Sequence, residues 1–170
     1  MRRWLPVWLA IGAIAIAADA AHAQSTTWYL QLVGNSGPIS EHSGTVTQGV
    51  ETQTKILSYG QNLFLPIDPQ GVPGALEFRP LRLLKETDGS TPRIAQALAL
   101  GEAITECVLT LYQFPGTIQL YEIELGTPQI VGLSGGGDAQ DGTAGAETVS
   151  ILFQSLTLTD HGNGQTTTIP

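Results

Sequence analysis

The chain has 170 residues, of which 42% are hydrophobic and 13% are charged, and its formal net charge is −8. A chain of this length normally forms one domain around a single core. The acidic excess argues against nucleic acid and anionic membranes as partners. The single cysteine excludes an internal disulfide, so stability must come from the core.

The N-terminus has the pattern of a signal peptide covering residues 1–23. Arg2 and Arg3 precede an apolar run from Leu5 to Ala18, and Ala-His-Ala at 21–23 forms a small-residue cleavage site. The alternative, a membrane anchor, is disfavoured because a run of about 14 residues is shorter than the ~20 that span a bilayer. Cleavage leaves 147 residues with a net charge of −9. We expect export, by Sec rather than Tat, to the periplasm or the extracellular space, with no membrane partner afterwards.

Two predicted strands follow, separated by a long polar connection. The apolar and aromatic run from Trp28 to Val33 predicts the first strand, and Lys55 to Gln61 predicts the second. Asn35 to Thr54, between them, is rich in glycine, serine and threonine. One interpretation of this connection is a mobile loop. The other is a segment for binding or self-association, because loops of about twenty residues are unusual in compact domains and often functional.

The middle of the chain predicts a proline-rich turn region and another strand. Leu63 to Leu65 continues the extended chain, and prolines at 66, 69 and 73 indicate turns. The next strand covers Ala75 to Lys85. Pro80 has no N–H to donate, so we place that part of the strand at an edge or a bulge.

One short helix is predicted after this strand. Thr91 is a suitable N-cap and Pro92 a suitable first helical residue. Gly101 has the left-handed freedom that ends many helices. One face of the helix is apolar, at Ile94, Ala97 and Leu98.

A hairpin follows the helix, with strands at Ile104–Phe114 and 117–125 around a Pro115-Gly116 turn. Cys107 lies on an apolar face of the first strand by alternation. No histidine is near it in sequence and no charge would lower its pKa, so a buried structural thiol is favoured over a nucleophile.

The C-terminal part predicts two more strands. Gln129 to Leu133 forms one, and the glycine-rich stretch from Ser134 to Ala146 predicts a flexible loop. The last strand covers Glu147 to Thr159, where the apolar phase changes near Gln154 and indicates a bulge. We expect residues 161–170 to be a flexible tail.

About seven strands and one helix predict a mainly β fold, an antiparallel two-sheet barrel or sandwich with the helix capping one side. The predicted organisation is a signal peptide at 1–23, one domain at 24–160 and the tail at 161–170.

The chain lacks a predicted catalytic or metal centre. The mature part has only His42, in the long loop, and His161, in the tail, so no histidine base lies on a rigid element. Asp138, Asp141 and Glu147 have the oxygen chemistry of a calcium site but not its spacing, and a solvated loop is the preferred interpretation. We therefore predict no catalytic residue, no metal and no cofactor.

Two other residue pairs have the types found in sugar-processing sites but not the arrangement. Glu122 and Glu124 imitate a glycosidase pair, but residues two apart on a strand share a face, and here that face is predicted to be wet. Trp28 and Tyr29 point to opposite faces, and a sugar-binding platform would need more aromatic residues on one face.

The order of these motifs resembles the Hcp family, the hemolysin-coregulated proteins that build the inner tube of type VI secretion systems. The central match is the strand Pro80–Glu86, then Asp88, then Thr91-Pro92 opening the helix that Gly101 ends. Further matches are 29–32, 56–60, and 147–151 followed by Phe153, and together they cover about residues 28–160.

The resemblance implies a two-sheet β-barrel with a helix at its side, hexameric rings that stack into a tube, effectors carried in the ring lumen, and no catalysis. It also implies that the loop after the first strand contacts neighbouring subunits or rings. The candidate contact residues in this sequence are Asn35, Ile39, Glu41, His42, Val46 and Val50.

Two departures qualify the resemblance. The family's loop normally carries a histidine and a tryptophan just before the second strand, and here only His42 corresponds. Tube proteins assemble in the cytoplasm and do not normally carry a signal peptide. The alternative function is therefore an exported binding module that keeps the fold and uses residues 34–54 or 134–146 for a ligand; a small hydrolase is a third, more distant hypothesis.

Overall fold

A computed structural model describes residues 25–40, 50–114, 117–136 and 145–170. The predicted signal peptide, and the candidate residues Glu41, His42, Val46, Asp138 and Asp141, lie outside these ranges. The elements are β1 Ser25–Gly34, β2 Gly37–Pro38, β3 Thr54–Gly60, β4 Leu63–Phe64, β5 Glu77–Phe78, β6 Leu81–Glu86, α1 Ser90–Leu100, β7 Ile104–Phe114, β8 Ile118–Gly126, β9 Gln129–Gly136, β10 Ala146–Leu152, β11 Ser155–Asp160 and β12 Gln165–Ile169.

The strands of the described residues form one large antiparallel sheet and one small one. The large sheet has the order β12-β11-β8-β7-β1-β3-β6-β10-β9, with β2 added beside β1, and β4 pairs with β5. Gln129, at the start of β9, and Pro170, just after β12, line one cavity of about 380 Å³. The two ends of the large sheet therefore approach each other, and the sheet curls into a nearly closed barrel. The predicted mainly β, antiparallel fold with one short helix is confirmed.

The core lies inside the curled sheet, where alternate residues of each strand point inward. Burying one leucine or isoleucine side chain contributes about 1.5–3 kcal/mol. The fully buried core includes Leu30, Leu32, Leu81, Leu83, Ile94, Leu109, Ile123, Val149 and Ile151. Because α1 contributes Ile94 and Ala97 to this cluster, the helix packs against the barrel rather than standing apart from it.

The helix begins at Ser90, and Thr91 is not its N-cap, so that prediction is wrong. The side chain of Asp88 takes the capping role, because its Oδ1 accepts hydrogen bonds from the Ser90 N–H at 2.9 Å and from Ser90 Oγ at 2.6 Å. The hydroxyl of Thr91 donates instead to Glu147 Oε1 on β10, at 2.7 Å. Gly101 ends the helix at φ 61°, as predicted.

A buried ammonium group joins β6, α1 and β10. The Lys85 side chain is 0% exposed, and its Nζ lies 2.6 Å from Glu147 Oε1 and 2.9 Å from Asp88 Oδ1. Nζ also donates to the Glu86 carbonyl oxygen at 2.7 Å. Glu147 is 4% exposed, so its interpretation as part of a solvated loop is wrong. It forms a buried ion pair with Lys85, and the two residues are too far apart in the sequence for the pair to be recognised from the sequence alone.

The predicted last strand is two strands with different partners. β10 pairs with β6 and β9, whereas β11 pairs with β8 and β12. The apolar phase change near Gln154 therefore marks the point where the chain leaves β10, near one end of the strand order, and enters β11, near the other end, and it is not a bulge within one strand. Residues 165–169, predicted to be flexible, form β12 and pair with β11 from Leu156 to Asp160.

Candidate assembly surface

The turn after β1 is tied to the segment after the helix. The Ser36 N–H donates to Glu102 Oε1 at 2.9 Å, and Ser36 Oγ donates to the same oxygen. These bonds, the side-chain one first, lower the pKa of the Glu102 carboxyl. A Cβ at Gly34 would clash with the Glu102 carboxylate, so a larger residue there would displace the Glu102 side chain.

This turn and the helix border a groove at one end of the barrel. Arg93 helps to close it, because its Nη1 donates to the Pro38 carbonyl oxygen at 3.1 Å. Leu100, on the last turn of α1, is 71% exposed beside the groove. The groove, which we name the helix-end groove, measures about 840 Å³ and is lined by Asn35, Ser36, Pro38, Ile39, Arg93, Gln96, Leu100 and Glu102.

The residues predicted to contact other subunits fall into three groups. Asn35 is exposed at the rim of the helix-end groove. Ile39 and Val50 are buried in this chain, at 3% and 2% exposure: Ile39 belongs to the main core, and Val50 packs with Tyr29 and Tyr112 on the other face of the sheet. Their side chains therefore serve the fold of the single chain. The other three lie outside the described residues.

A β-ribbon extends from the barrel between β3 and β6, and we name residues 61–80 the arm. The pairing of β3 with β6 ends at Gly60 and Arg82, and the arm continues it through β4 and β5. A bridge between Ile67 and Pro73 carries the ribbon further, and the Asp68 N–H donates to the Val72 carbonyl oxygen at 3.0 Å to close the tip. The proline-rich stretch therefore forms the predicted turn, at Pro69 and Gln70, as the tip of a hydrogen-bonded hairpin.

The arm exposes a run of large apolar side chains. Its base is anchored, because the Phe78 and Phe153 rings pack edge to face with centroids 5.0 Å apart. Beyond this anchor Ile67 is 66% exposed and Val72 58% exposed. The other exposed apolar residues of the arm are Leu63, Phe64, Leu65 and Leu76. Contiguous exposed apolar surface marks interaction sites, and the sequence signal for it was the run Leu63-Phe64-Leu65 just before three prolines.

Three aromatic residues meet where the arm leaves the barrel. The Trp28 ring lies 4.9 Å from the Tyr59 ring and 6.3 Å from the Tyr121 ring, with interplanar angles of 71° and 87°. Burial, and then the neighbouring Tyr121, raise the pKa of Tyr59. Rings at these angles pack against each other and do not form the flat platform on which a sugar stacks.

Groups with catalytic potential are dispersed. Among the described residues, no three His, Cys, Asp or Glu side chains come close enough to hold a metal ion. His161 lies in the β11–β12 turn, where its Nε2 is 3.8 Å from Glu122 Oε2. Cys107 is 1% exposed, and burial raises its pKa to about 12, which agrees with a structural thiol. Within the described ranges, no helix has the length and apolarity to cross a membrane.

Several solved structures share this fold. An Hcp protein has a TM-score of 0.75 and 17% identity over 85% of this chain and 97% of its own. The secreted protein Hcp3 from Pseudomonas aeruginosa has a TM-score of 0.68 and 18% identity over 84% of this chain and 97% of its own. A type VI secretion system effector from Yersinia pestis has a TM-score of 0.65 and 12% identity over 84% of this chain and 98% of its own.

A family comparison goes beyond the fold. A search of curated proteins finds no match. The model of the family described as "Type VI secretion system effector, Hcp" matches residues 29–159, which is well over half of the chain. The matched range runs from the second half of β1 to the end of β11 and includes the arm, the helix and the Lys85 cluster. The chain therefore belongs to the Hcp family of type VI secretion, a family of secreted, non-enzymatic structural proteins.

Proposed function

We propose that this protein assembles with further copies of itself into hexameric rings, that the rings stack into a tube, and that their lumen can carry effectors. The exposed apolar arm is the observation that carries the proposal. Between the anchor at Phe78 and the tip, its large apolar side chains remain 37–66% exposed. Membership of the Hcp family supports another copy of the chain as the partner.

The construction of the arm favours a role between copies. A lone two-stranded ribbon is marginally stable in water. A second surface that covers its apolar side chains would therefore stabilise it. Asp68 supports the tip, because its Oδ1 accepts hydrogen bonds from the N–H groups of Gln70 and Val72 at 2.9 and 2.8 Å. The tip is thus shaped before any partner arrives, which lowers the entropy lost on association.

Replacing Phe64, Leu65 and Ile67 together with serine is expected to weaken the association of copies at least about tenfold, because truncating a central interface residue typically costs more than 1 kcal/mol. The unsubstituted protein should run at the mass of six copies or a multiple of it in light scattering. The matched control is Val131→Ser, which removes an exposed apolar side chain on β9. A monomeric wild-type protein at high concentration would sink the ring proposal.

We also propose that the chain is exported through the signal peptide at 1–23, so that its rings form in the periplasm or outside the cell and not in the cytoplasm, where tube proteins normally assemble. Mass spectrometry of the exported protein should find Gln24 as the first residue, because Ala-His-Ala at 21–23 suits signal peptidase. Replacing Ala21 and Ala23 with bulky residues should stop the processing. Recovery of the intact N-terminus outside the cytoplasm would contradict the proposal.

A further inference from the structure

The described chain begins at the end of the barrel that carries the arm. β1 starts at Ser25 and is antiparallel to β3, with Trp28 opposite Ile56. β3 runs from there into the arm, and near its end the Tyr59 ring lies 4.9 Å from the Trp28 ring. Residues 1–24, which include the predicted signal peptide, are therefore attached to the barrel beside the base of the arm.

We propose that, before it is removed, the signal peptide lays its apolar run from Leu5 to Ala18 along the arm of the same chain and covers the apolar side chains there. The arm becomes free to join other copies only when the signal peptide is gone. The inference rests on the proposed export and on the proposed association through the arm, and it names an earlier occupant of that surface.

The apolar run has the length that this contact needs. The arm from Gly60 to Asp68, at the tip, measures about 26 Å as an extended strand. The apolar run measures about 21 Å as a helix and about 46 Å when extended. Residues 19–24, between the run and β1, add about 20 Å when extended. The run therefore reaches along the arm in either conformation.

The arm and the signal peptide both have apolar side chains to cover. On the arm, Ile67 is 66% and Phe64 50% exposed. The apolar run contains Trp8 and isoleucines at positions 11, 14 and 16. Removing these groups from water drives the contact. Because both segments belong to one chain, their effective concentration is in the millimolar range, so at micromolar protein the contact within the chain forms in preference to one between copies.

A groove at the base of the arm suits the acidic end of the apolar run. This groove, of about 570 Å³, holds Arg79 and Arg82 beside the apolar side chains of Leu63 and Phe64. Asp19 directly follows the apolar run and is close in sequence to β1. A carboxylate next to an apolar segment is the chemistry that such a groove binds.

The tip of the arm suits the basic end of the signal peptide. Arg2 and Arg3 precede the apolar run, and the tip carries the carboxylate of Asp68, which the N–H groups of Gln70 and Val72 hold in place. Opposite charges therefore meet at both ends of the contact. Such an arrangement selects one direction of the signal peptide along the arm.

The contact keeps the precursor, the full chain with its signal peptide, from assembling. The arm cannot bind the signal peptide and another copy at the same time. The precursor therefore stays as single copies, and association begins after cleavage. This order of events suits a ring-forming chain that is exported before it assembles.

Hydrogen exchange in dilute solution tests the contact, with the precursor compared with the chain from Gln24 to Pro170. Backbone amides of residues 63–72 should exchange at least about tenfold more slowly in the precursor, and those of residues 93–102, at the helix-end groove, equally in both. Serine in place of the three isoleucines at 11, 14 and 16 should remove the protection. Serine at the alanines 10, 13 and 15 is the control and should retain it.

A charge reversal tests the position of Asp19. Asp19→Arg and Arg82→Glu should each speed the exchange of the arm in the precursor, and the two together should slow it again. A substitution that merely disturbs the fold is not rescued in this way.

Light scattering at high concentration completes the test. The precursor should have the mass of one copy where the cleaved chain forms six-copy rings. Equal exchange of the arm in the two chains, or a precursor that assembles as readily as the cleaved chain, would overturn the inference while six-copy rings leave the proposed function standing. A cleaved chain that stays a single copy would instead overturn the rings, and a protected arm in the precursor would still support the contact.

Discussion

Replacing Lys85 with alanine is expected to lower the free energy of unfolding by about 3–5 kcal/mol, the usual cost of breaking a buried ion pair by removing one partner. The ammonium group is fully buried between Glu147 and Asp88. Without it, Glu147 keeps a hydrogen bond from Thr91 but becomes a buried carboxylate without a counter-charge. Because the cluster joins β6, β10 and the first turn of α1, the substitution should weaken the packing of all three elements.

Urea unfolding monitored by circular dichroism measures this effect. Lys55→Ala is the matched control, since Lys55 is an exposed lysine on β3, and it should change the unfolding free energy by less than about 0.5 kcal/mol. The pair Lys85→Met with Glu147→Leu should recover much of the loss, because well-packed apolar side chains replace buried ion pairs at little cost. A Lys85→Ala protein as stable as the control would contradict the buried pair.

Ending the chain at Asp160 is expected to lower the free energy of unfolding by about 3 kcal/mol, which corresponds to exposing one to two buried apolar side chains. β12 pairs with β11 from Leu156 to Asp160, and Ile169 packs against the main core. The truncation leaves β11 as an open edge and uncovers Leu156, which is 1% exposed in the intact chain. Open edges of this kind also promote aggregation.

The control for the truncation is removal of Pro170 alone, which follows the last paired residue and should leave the unfolding free energy unchanged. Both proteins can be compared by thermal or urea unfolding at the same concentration. A chain ending at Asp160 with wild-type stability would mean that residues 161–170 are the flexible tail that their composition suggests.

Local sequence patterns were sufficient to predict most of the strands and the helix. The alternation in 104–114 and the turn before 117–125 predict a hairpin, and β7 and β8 form it. Apolar side chains at a spacing of two or of three and four report which face of an element is buried, and this is a property of neighbouring residues. The same locality made Gly101 predictable as the end of α1.

The surface that we propose for assembly differs from the one that the resemblance implies. The resemblance implies contacts in the loop after β1, which stay a prediction, and of that loop Asn35 lines the helix-end groove. For the arm, the sequence predicts extended chain followed by proline turns, because the run Leu63-Phe64-Leu65 has the composition of a core strand. Whether such a run is buried depends on what lies opposite it, and here the paired segment leads away from the barrel.

The amino-acid sequence by itself determined the mainly β class, the single short helix and its stop, the buried cysteine and the family, since each follows from spacing or from motif order along the chain. Only the tertiary structure decided which strands pair, that Glu147 is buried against Lys85, 62 residues away, that β10 and β11 are separate strands with different partners, and that residues 165–169 form a strand. The physical reason is that burial and hydrogen-bond partners are set by groups distant in sequence. Neither a carboxylate in a glycine-rich context nor a threonine-rich tail has a local feature that identifies its partner in the fold.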